Sequence, residues 1–230
     1  TQNVEQEVKN LFRGVSVLRW DSDVTRRTKD YFNLLNEFRK SDSQVLVGTQ
    51  MIAKGLHFPE VTLVGVILAD LGLNIPDFKA PERAFQLLYQ VAGRAGRGEK
   101  PGLAIVQTYH PEHYAIQAAA RQEFGPFYEM EIGYRKTFRS PPFSQLAKMS
   151  YQHTNPIHAR NSALDFVEKF RSFLKELGIT EIDIIGPAPG YPPRLRGKNR
   201  WQALIRVPNG CQISIQDLVR QFQPHPDWVI

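Results

Sequence analysis

The 230-residue sequence predicts an α/β protein, a doubly wound parallel sheet followed by a smaller α+β domain. Three observations carry that reading. Helix-period and strand-like apolar segments alternate through the first half of the chain, as β-α units do. The strands there are near-continuous apolar runs, of which Val61–Ala69 is the longest, as expected for parallel strands covered on both faces. Past Ser140-Pro141-Pro142 the order of elements changes, which marks a domain boundary between residues 140 and 141.

Each element follows from its spacing. Val4, Val8, Leu11 and Phe12 fall on one helical face, and Gly14 stops that helix. Val15–Trp20 alternates as a strand. Thr25–Lys40 carries the helical stripe Tyr31, Phe32, Leu34, Leu35 and Phe38. Gln44–Val47 is a short strand running into Gly48-Thr49. Pro81–Ala92 reads as a helix with proline in its first turn, and Leu103–Gln107 as a buried strand. Helices over Glu112–Gln122 and Pro126–Phe138 complete residues 1–140. In 141–230 come a strand at Gln145–Gln152, a helix at Ile157–Leu177 and a strand at Ile182–Ile185. A Pro/Gly/Arg-rich loop follows at Gly186–Asn199, then a strand at Trp201–Val207, a helix at Ile215–Phe222 and a short strand at Trp228–Ile230. That order, βαββαβ, predicts a ferredoxin-like sandwich.

Composition narrows the function classes. No apolar run approaches the roughly 20 residues of a spanning helix, so no membrane role is expected. The N-terminus has neither a basic nor an apolar signal region; it also lacks Met, so a piece of a longer chain is expected. A single cysteine, Cys211, rules out a disulfide framework or a cysteine zinc site within these residues. The net charge of +6 favours polyanionic partners such as nucleic acid.

Two stretches carry chemistry. In QVAGRAGRG, Gln90–Gly98, the guanidinium groups of Arg94 and Arg97 project from nearly the same side of a helical turn. Gly93 and its small neighbours leave room for a phosphate-bearing ligand, and a planar fork that stays charged suits phosphate oxygens. The alternative is a basic turn placed where cations suit a helix C-terminus. In GTQMIAKGLHFPEV, Gly48–Val61, Thr49 lies at the C-terminal end of a strand, where open sheets place their ligand contacts. Gly55 lets the backbone approach a phosphate chain, and Lys54 adds charge. The alternative is a plain connector. A third cluster, Arg194, Arg196, Lys198 and Arg200 followed by Trp201, forms a phosphate-and-stacking surface for DNA or else a solvated loop before a core tryptophan. Phe124, Phe127, Tyr128 and Tyr134 read as core or lobe-packing residues, given their helical spacing.

GTQMIAKG-x-x-FP-x-VTLV together with QVAGRAGR resembles motifs V and VI of superfamily 2 helicases, and most closely the PriA family of replication-restart helicases. TQNVEQEVKNLF, DFKAPERAFQL and GPAPGYPPRLRGKNRWQALI resemble further segments of that family, so the likeness runs along the whole chain. It implies a RecA-like second helicase lobe over 1–140 and a DNA- or fork-binding domain over 141–230. It implies an ATP-dependent 3′-to-5′ DNA helicase in replication restart, with Arg94 and Arg97 as arginine fingers oriented by Gln90. Gly93 and Gly55 would line the nucleotide, while Thr49, Gln50 and Lys54 would grip the tracking strand. His57 stands where the family has an acidic residue or histidine, and reads as a loop histidine. Asp70, Asp77 and Arg83 read first as caps or ion pairs and only second as coupling residues.

The chain has no G-x-x-x-x-G-K-[ST] and no DEAH-like acidic cluster. By the resemblance, ATP and Mg²⁺ are held mainly by a first lobe, zinc is bound upstream, and this chain alone is inactive. The implied partners are forked DNA and single-strand/double-strand junctions, primosome proteins and single-strand-binding protein, in bacterial cytoplasm. The rival readings are another superfamily 2 translocase lobe, or a nucleic-acid- or partner-binding module that has lost its motor.

Overall fold

The computed structural model describes residues 1–21, 36–38, 44–49, 61–93, 101–222, 224–225 and 227–229. Backbone packing divides the chain into two compact units, Thr1–Asp70 with Arg83–Glu123, and Leu71–Glu82 with Phe124–Ile230.

The first unit opens with helix α1 (Gln2–Leu11) and strand β1 (Ser16–Trp20), which pairs in parallel with β2 (Gln44–Gly48). Glu5 ties the helix to the strand, 3.5 Å from Arg19. Leu11 and Phe12, predicted on the packed face of that helix, are exposed. A second parallel pair joins β3 (Leu63–Val66) to β4 (Leu103–Val106). These strands are not covered on both faces as their apolar runs predict. Leu63, Leu103 and Ile105 are exposed, because they share one face of the pair and the described residues supply no covering layer there. Helix α2 (Asp70–Leu73) follows β3 and, past Asp70, belongs to the second unit with the start of α3 (Ala80–Ala92), while α3 from Arg83 onward belongs to the first. Helix α4 (Tyr114–Arg121) starts from His113, whose Nδ1 accepts the Ala115 N–H at 3.2 Å. Of the predicted helix over Thr25–Lys40, only 36–38 lie among the described residues, and these are helical.

The second unit is built on a three-stranded antiparallel sheet of order β5-β7-β6, with β5 Ser144–His153, β6 Asp183–Leu195 and β7 Lys198–Pro208. Helix α5 (Phe124–Thr137) precedes it. Helix α6 (Pro156–Glu176) starts with Asn155 Oδ1 accepting the Ile157 and His158 N–H groups, and Pro156 occupies its first turn. Its Ala159, Ala163, Phe166, Val167, Phe170 and Leu174 are buried at helical spacing. All of these but Ala159 pack on Met149, Tyr151, Ala203, Ile205 and Val207, alternate residues of β5 and β7 on one sheet face. Helix α7 (Ile215–Phe222) is capped by Ser214, whose Oγ accepts the Asp217 N–H, and adds Leu218 and Val219. Trp228 closes the core, 4.1 Å from the Phe166 ring, and the chain ends in a bridge between Val229 and Ser150.

The predicted loop Gly186–Asn199 is instead the arm of a β-hairpin. Proline-rich sequence suggests a loop because proline cannot donate to a ladder, but β6 is an edge strand, where that loss is tolerated. Arg196 (φ 49°) and Gly197 (φ 79°) form a two-residue turn with both central residues left-handed, the condition for a tight hairpin. Between Pro189↔Trp201 and Arg194↔Asn199 the four residues Gly190–Pro193 oppose Arg200 alone. Arg200 fills that bulge by donating through Nη1 to the carbonyls of Tyr191 (3.1 Å) and Pro192 (3.4 Å). A Cβ on Gly190 would lie 3.0 Å from Cβ of Arg200, so any larger residue would have to push Arg200 aside.

The prediction of a break at 140/141 and the packing differ. Residues 71–82 and α5 group with the sheet, and Arg135 ties these segments together. Its Nε donates to Glu131 and its Nη2 to Glu82, both at 2.7 Å. Its Nη1 donates to the Pro141 carbonyl at 3.3 Å, and the guanidinium lies 5.2 Å from the Phe78 ring centre. Burial lowers the guanidinium's pKa, but the two carboxylates outweigh that and raise it above its ordinary value. Next, Arg206 donates to Asp183 (2.9 Å) and to the Phe138 carbonyl (2.8 Å), joining the end of α5 to β7. The aromatics of α5 divide: Phe127 is core as predicted, whereas Phe124, Tyr128 and Tyr134 are exposed.

Exposed pairs such as Lys169–Asp165 contribute about 0–1 kcal/mol. Removing a largely buried partner strands a charge and costs several times that. Arg135→Met should lower unfolding free energy by about 3 kcal/mol, the low end for a broken buried pair because Glu82 keeps some solvent. Urea denaturation checks this, and adding Glu131→Gln should recover part of the loss.

Candidate functional site

Of the residues singled out by sequence in the first unit, Thr49 follows β2, and Gln90 and Gly93 lie at the end of α3. Trp20 pairs with Gly48, so the buried Asp21 that follows β1 lies at the same sheet edge as Thr49. Asp21 accepts a hydrogen bond from Thr1 Oγ1 at 2.7 Å and lies 3.3 Å from Arg19 Nε. Thr49 itself is exposed. Gln50, Lys54, Gly55 and His57 lie outside the described residues, as do Arg94 and Arg97.

At the next pair of strands the chain turns sharply after β3. Leu68 takes φ 55°, a left-handed conformation uncommon outside glycine. Asp70 follows, 5 % exposed, with Oδ1 accepting from Thr108 Oγ1 (2.8 Å) and Oδ2 from the Tyr109 N–H (3.1 Å). The Ala69 N–H reaches the Gln107 carbonyl at 3.1 Å. A carboxylate thus joins the strand ends of β3 and β4, which supports the structural reading of Asp70 over the coupling one. Burial raises its pKa, but the Tyr109 and Thr108 hydrogen bonds to the ionised form prevail and hold it below its ordinary value. Asp77 likewise works as a turn residue, accepting the Lys79 N–H at 2.9 Å ahead of α3.

Gln90 is half-buried in the last turn of α3, and Gly93 follows the helix with its N–H on the Tyr89 carbonyl at 3.1 Å. Gln122, left-handed at the end of α4, donates through Nε2 to that same Tyr89 carbonyl (3.1 Å) and to Ala119 (3.0 Å). A Cβ on Gly93 would meet the Tyr89 carbonyl at 3.3 Å and the Gln122 side chain at 3.5 Å. The fit is tight where two helix ends meet, directly before Arg94. Gln122 escaped the sequence reading because a glutamine after an alanine-rich helix carries no motif; only its left-handed cap and its contact mark it.

In the second unit Arg194, Arg196 and Lys198 are exposed around the hairpin turn. Arg200 and Trp201, grouped with them by sequence, have structural work. Arg200 spans the bulge, and Trp201 is half-buried against the core cluster, opposite Pro189 and Tyr151. Among the described residues no group of three or more His, Cys, Asp or Glu side chains could hold a metal, and no helix is long and apolar enough to cross a membrane.

Residues 1–99 match the helicase conserved C-terminal domain, and residues 136–228 match the primosomal protein N C-terminal domain. The chain is 42 % identical to the replication restart protein PriA of Bacillus subtilis, over 93 % of this chain and 26 % of that protein. It is 36 % identical to PriA of Synechocystis, over 97 % and 27 %, and 37 % identical to PriA of Treponema pallidum, over 96 % and 33 %. The chain belongs to the PriA family. It corresponds to the C-terminal part of such a protein and spans about a quarter to a third of the length of these curated relatives.

Because the Asp70 pKa is depressed on folding, its contribution to stability is present above the ordinary value of 3.8 and is lost as pH falls through the folded value. Asp70→Asn should therefore be less stable than wild type at neutral pH. Urea midpoints measured down the pH scale should show the gap closing below about 3.8. A gap that stayed constant with pH would mean the carboxylate's charge is not what joins the strand ends.

Proposed function

We propose that this chain supplies the second motor lobe and the C-terminal domain of an ATP-dependent superfamily 2 DNA helicase acting in replication restart. The carrying observation is the family match in motif order, with QVAGRAGR beginning in the last turn of a helix whose end is packed by Gln122. The parallel strand pairs support a RecA-like lobe. The sheet order β5-β7-β6, with Val229 bridged to β5, supports a ferredoxin-like second domain.

In this reading Arg94 and Arg97 reach a nucleotide held mainly by a first lobe and stabilise charge on the transferring phosphoryl group, with Gln90 orienting them. MgATP, when bound, supplies that γ-phosphoryl group; no described cluster of this chain fits the metal. Gly55 and Gly93 allow close approach of the backbone. Thr49, Gln50 and Lys54 grip the phosphates of the tracking strand, moving it 3′ to 5′ as the lobes close. The hairpin cations contact DNA at forks and junctions, while Arg200 and Trp201 act through the shape of the hairpin. Zinc belongs upstream of this chain, and primosome proteins and single-strand-binding protein are the partners, in bacterial cytoplasm. Lacking a phosphate-binding loop of the G-x-x-x-x-G-K-[ST] type, the isolated chain hydrolyses no ATP.

The test is DNA-stimulated ATP hydrolysis by the full-length protein carrying Arg97→Ala. The expected result is a fall in kcat of about 10³-fold, the scale of an arginine finger, with DNA affinity kept. Normal turnover with weakened DNA binding would make the arginines a phosphate-backbone patch and favour a binding module.

A further inference from the structure

The hairpin turn carries charge that no described contact uses. None of the ion pairs among the described residues involves Arg194, Arg196 or Lys198. No acidic residue occurs between Asp183 and Asp217, so nothing nearby in sequence neutralises them. Their placement is set by the ladder. Arg194 lies opposite Asn199 and Leu195 opposite Lys198. Partners in a ladder share a face and successive pairs alternate, so Arg194 and Lys198 occupy opposite faces of the ribbon, with Arg196 at its tip. The arm is also stiff, closed by a two-residue turn and braced by Arg200 across the bulge.

That shape and charge select among nucleic acids. Single strands are held on successive aromatic platforms. Here Trp201 packs against the core, and Tyr191, 54 % exposed, is the one exposed ring on the arm. A two-stranded ribbon fits the major groove of B-form DNA, about 12 Å wide and about 8.5 Å deep. The major groove of A-form RNA is too deep and narrow to admit it. Resting on the DNA-binding reading above, we propose that the hairpin Arg194–Lys198 inserts into the major groove of duplex DNA. Arg194 and Lys198 meet the phosphates of the two groove walls, and the binding is independent of sequence.

The experiment is fluorescence anisotropy on the nucleotide-free full-length protein. It compares a blunt DNA duplex two helical turns long, the matching single strand and the matching RNA duplex across a salt series. The variant is Arg194→Gln/Arg196→Gln/Lys198→Gln. Each lost phosphate contact should reduce the slope of log affinity against log salt by about 0.9, so the triple variant should lose about 2 to 3 from the slope on duplex DNA. Single-strand and RNA-duplex affinities should stay within about twofold, since neither presents a groove that admits the ribbon. Arg194→Lys/Arg196→Lys should keep the wild-type slope.

An unchanged duplex slope, an equal loss on single strands or on RNA, or a Lys variant as weak as the Gln variant would each overturn the proposal. An unchanged duplex slope together with an intact Arg97→Ala defect in ATP hydrolysis would remove the hairpin's role while leaving the helicase reading in place.

Discussion

One guanidinium ties together three segments of the second unit. Arg135 holds a carboxylate one turn back on its own helix, a carboxylate from the start of α3, a carbonyl in the Ser140–Pro142 junction and the face of Phe78. Glu82 and Phe78 are far from Arg135 in sequence, and the guanidinium is shielded enough from water that the arrangement is not a surface pair of negligible worth. Composition alone suggests a flexible joint at the proline pair. With Arg135 in place, the same prolines sit inside a fastened corner, closed on its other side by Arg206 on the Phe138 carbonyl.

The hairpin shows a second constraint of the same kind. Four prolines in β6 are compatible with a strand only because the sheet order leaves β6 at the edge. The mismatch of four residues against one would leave carbonyls without partners, and Arg200 supplies two of the donors. A basic residue that sequence assigns to DNA therefore has a prior commitment to the backbone, as does Trp201 to the core. The cations left over are those at the turn, where geometry spreads them over two faces and a tip.

In the first unit, too, the strand ends are organised by polar groups rather than by apolar packing. Asp70 joins the exits of β3 and β4, Asp21 is held beside Thr49, and Gln122 fastens the end of α3 ahead of Arg94. Ligand contacts in open parallel sheets concentrate at such ends because the loops there are free to vary while the strands hold them in place. Those polar fastenings are what hold the exits of β3 and β4 and the end of α3 in place.

Local periodicity made most elements legible in advance. The helices over Gln2–Leu11, Ala80–Ala92, Tyr114–Arg121, Pro156–Glu176 and Ile215–Phe222 follow spacing and caps that act within a few residues. The motif strings around Thr49 and Gln90 also depend only on residue identity, and they point to the family without any geometry. What sequence alone misread were outcomes of long-range packing: the exposed face of β3 and β4, the strand hidden in Gly186–Leu195, the exposed aromatics of α5 and the tied corner at Pro141. Each depends on which distant group arrives to cover, pair with or neutralise a residue. Residue type and spacing determined the local elements and the chemistry available; the tertiary structure decided which charges were spent on the fold and which remained for a ligand.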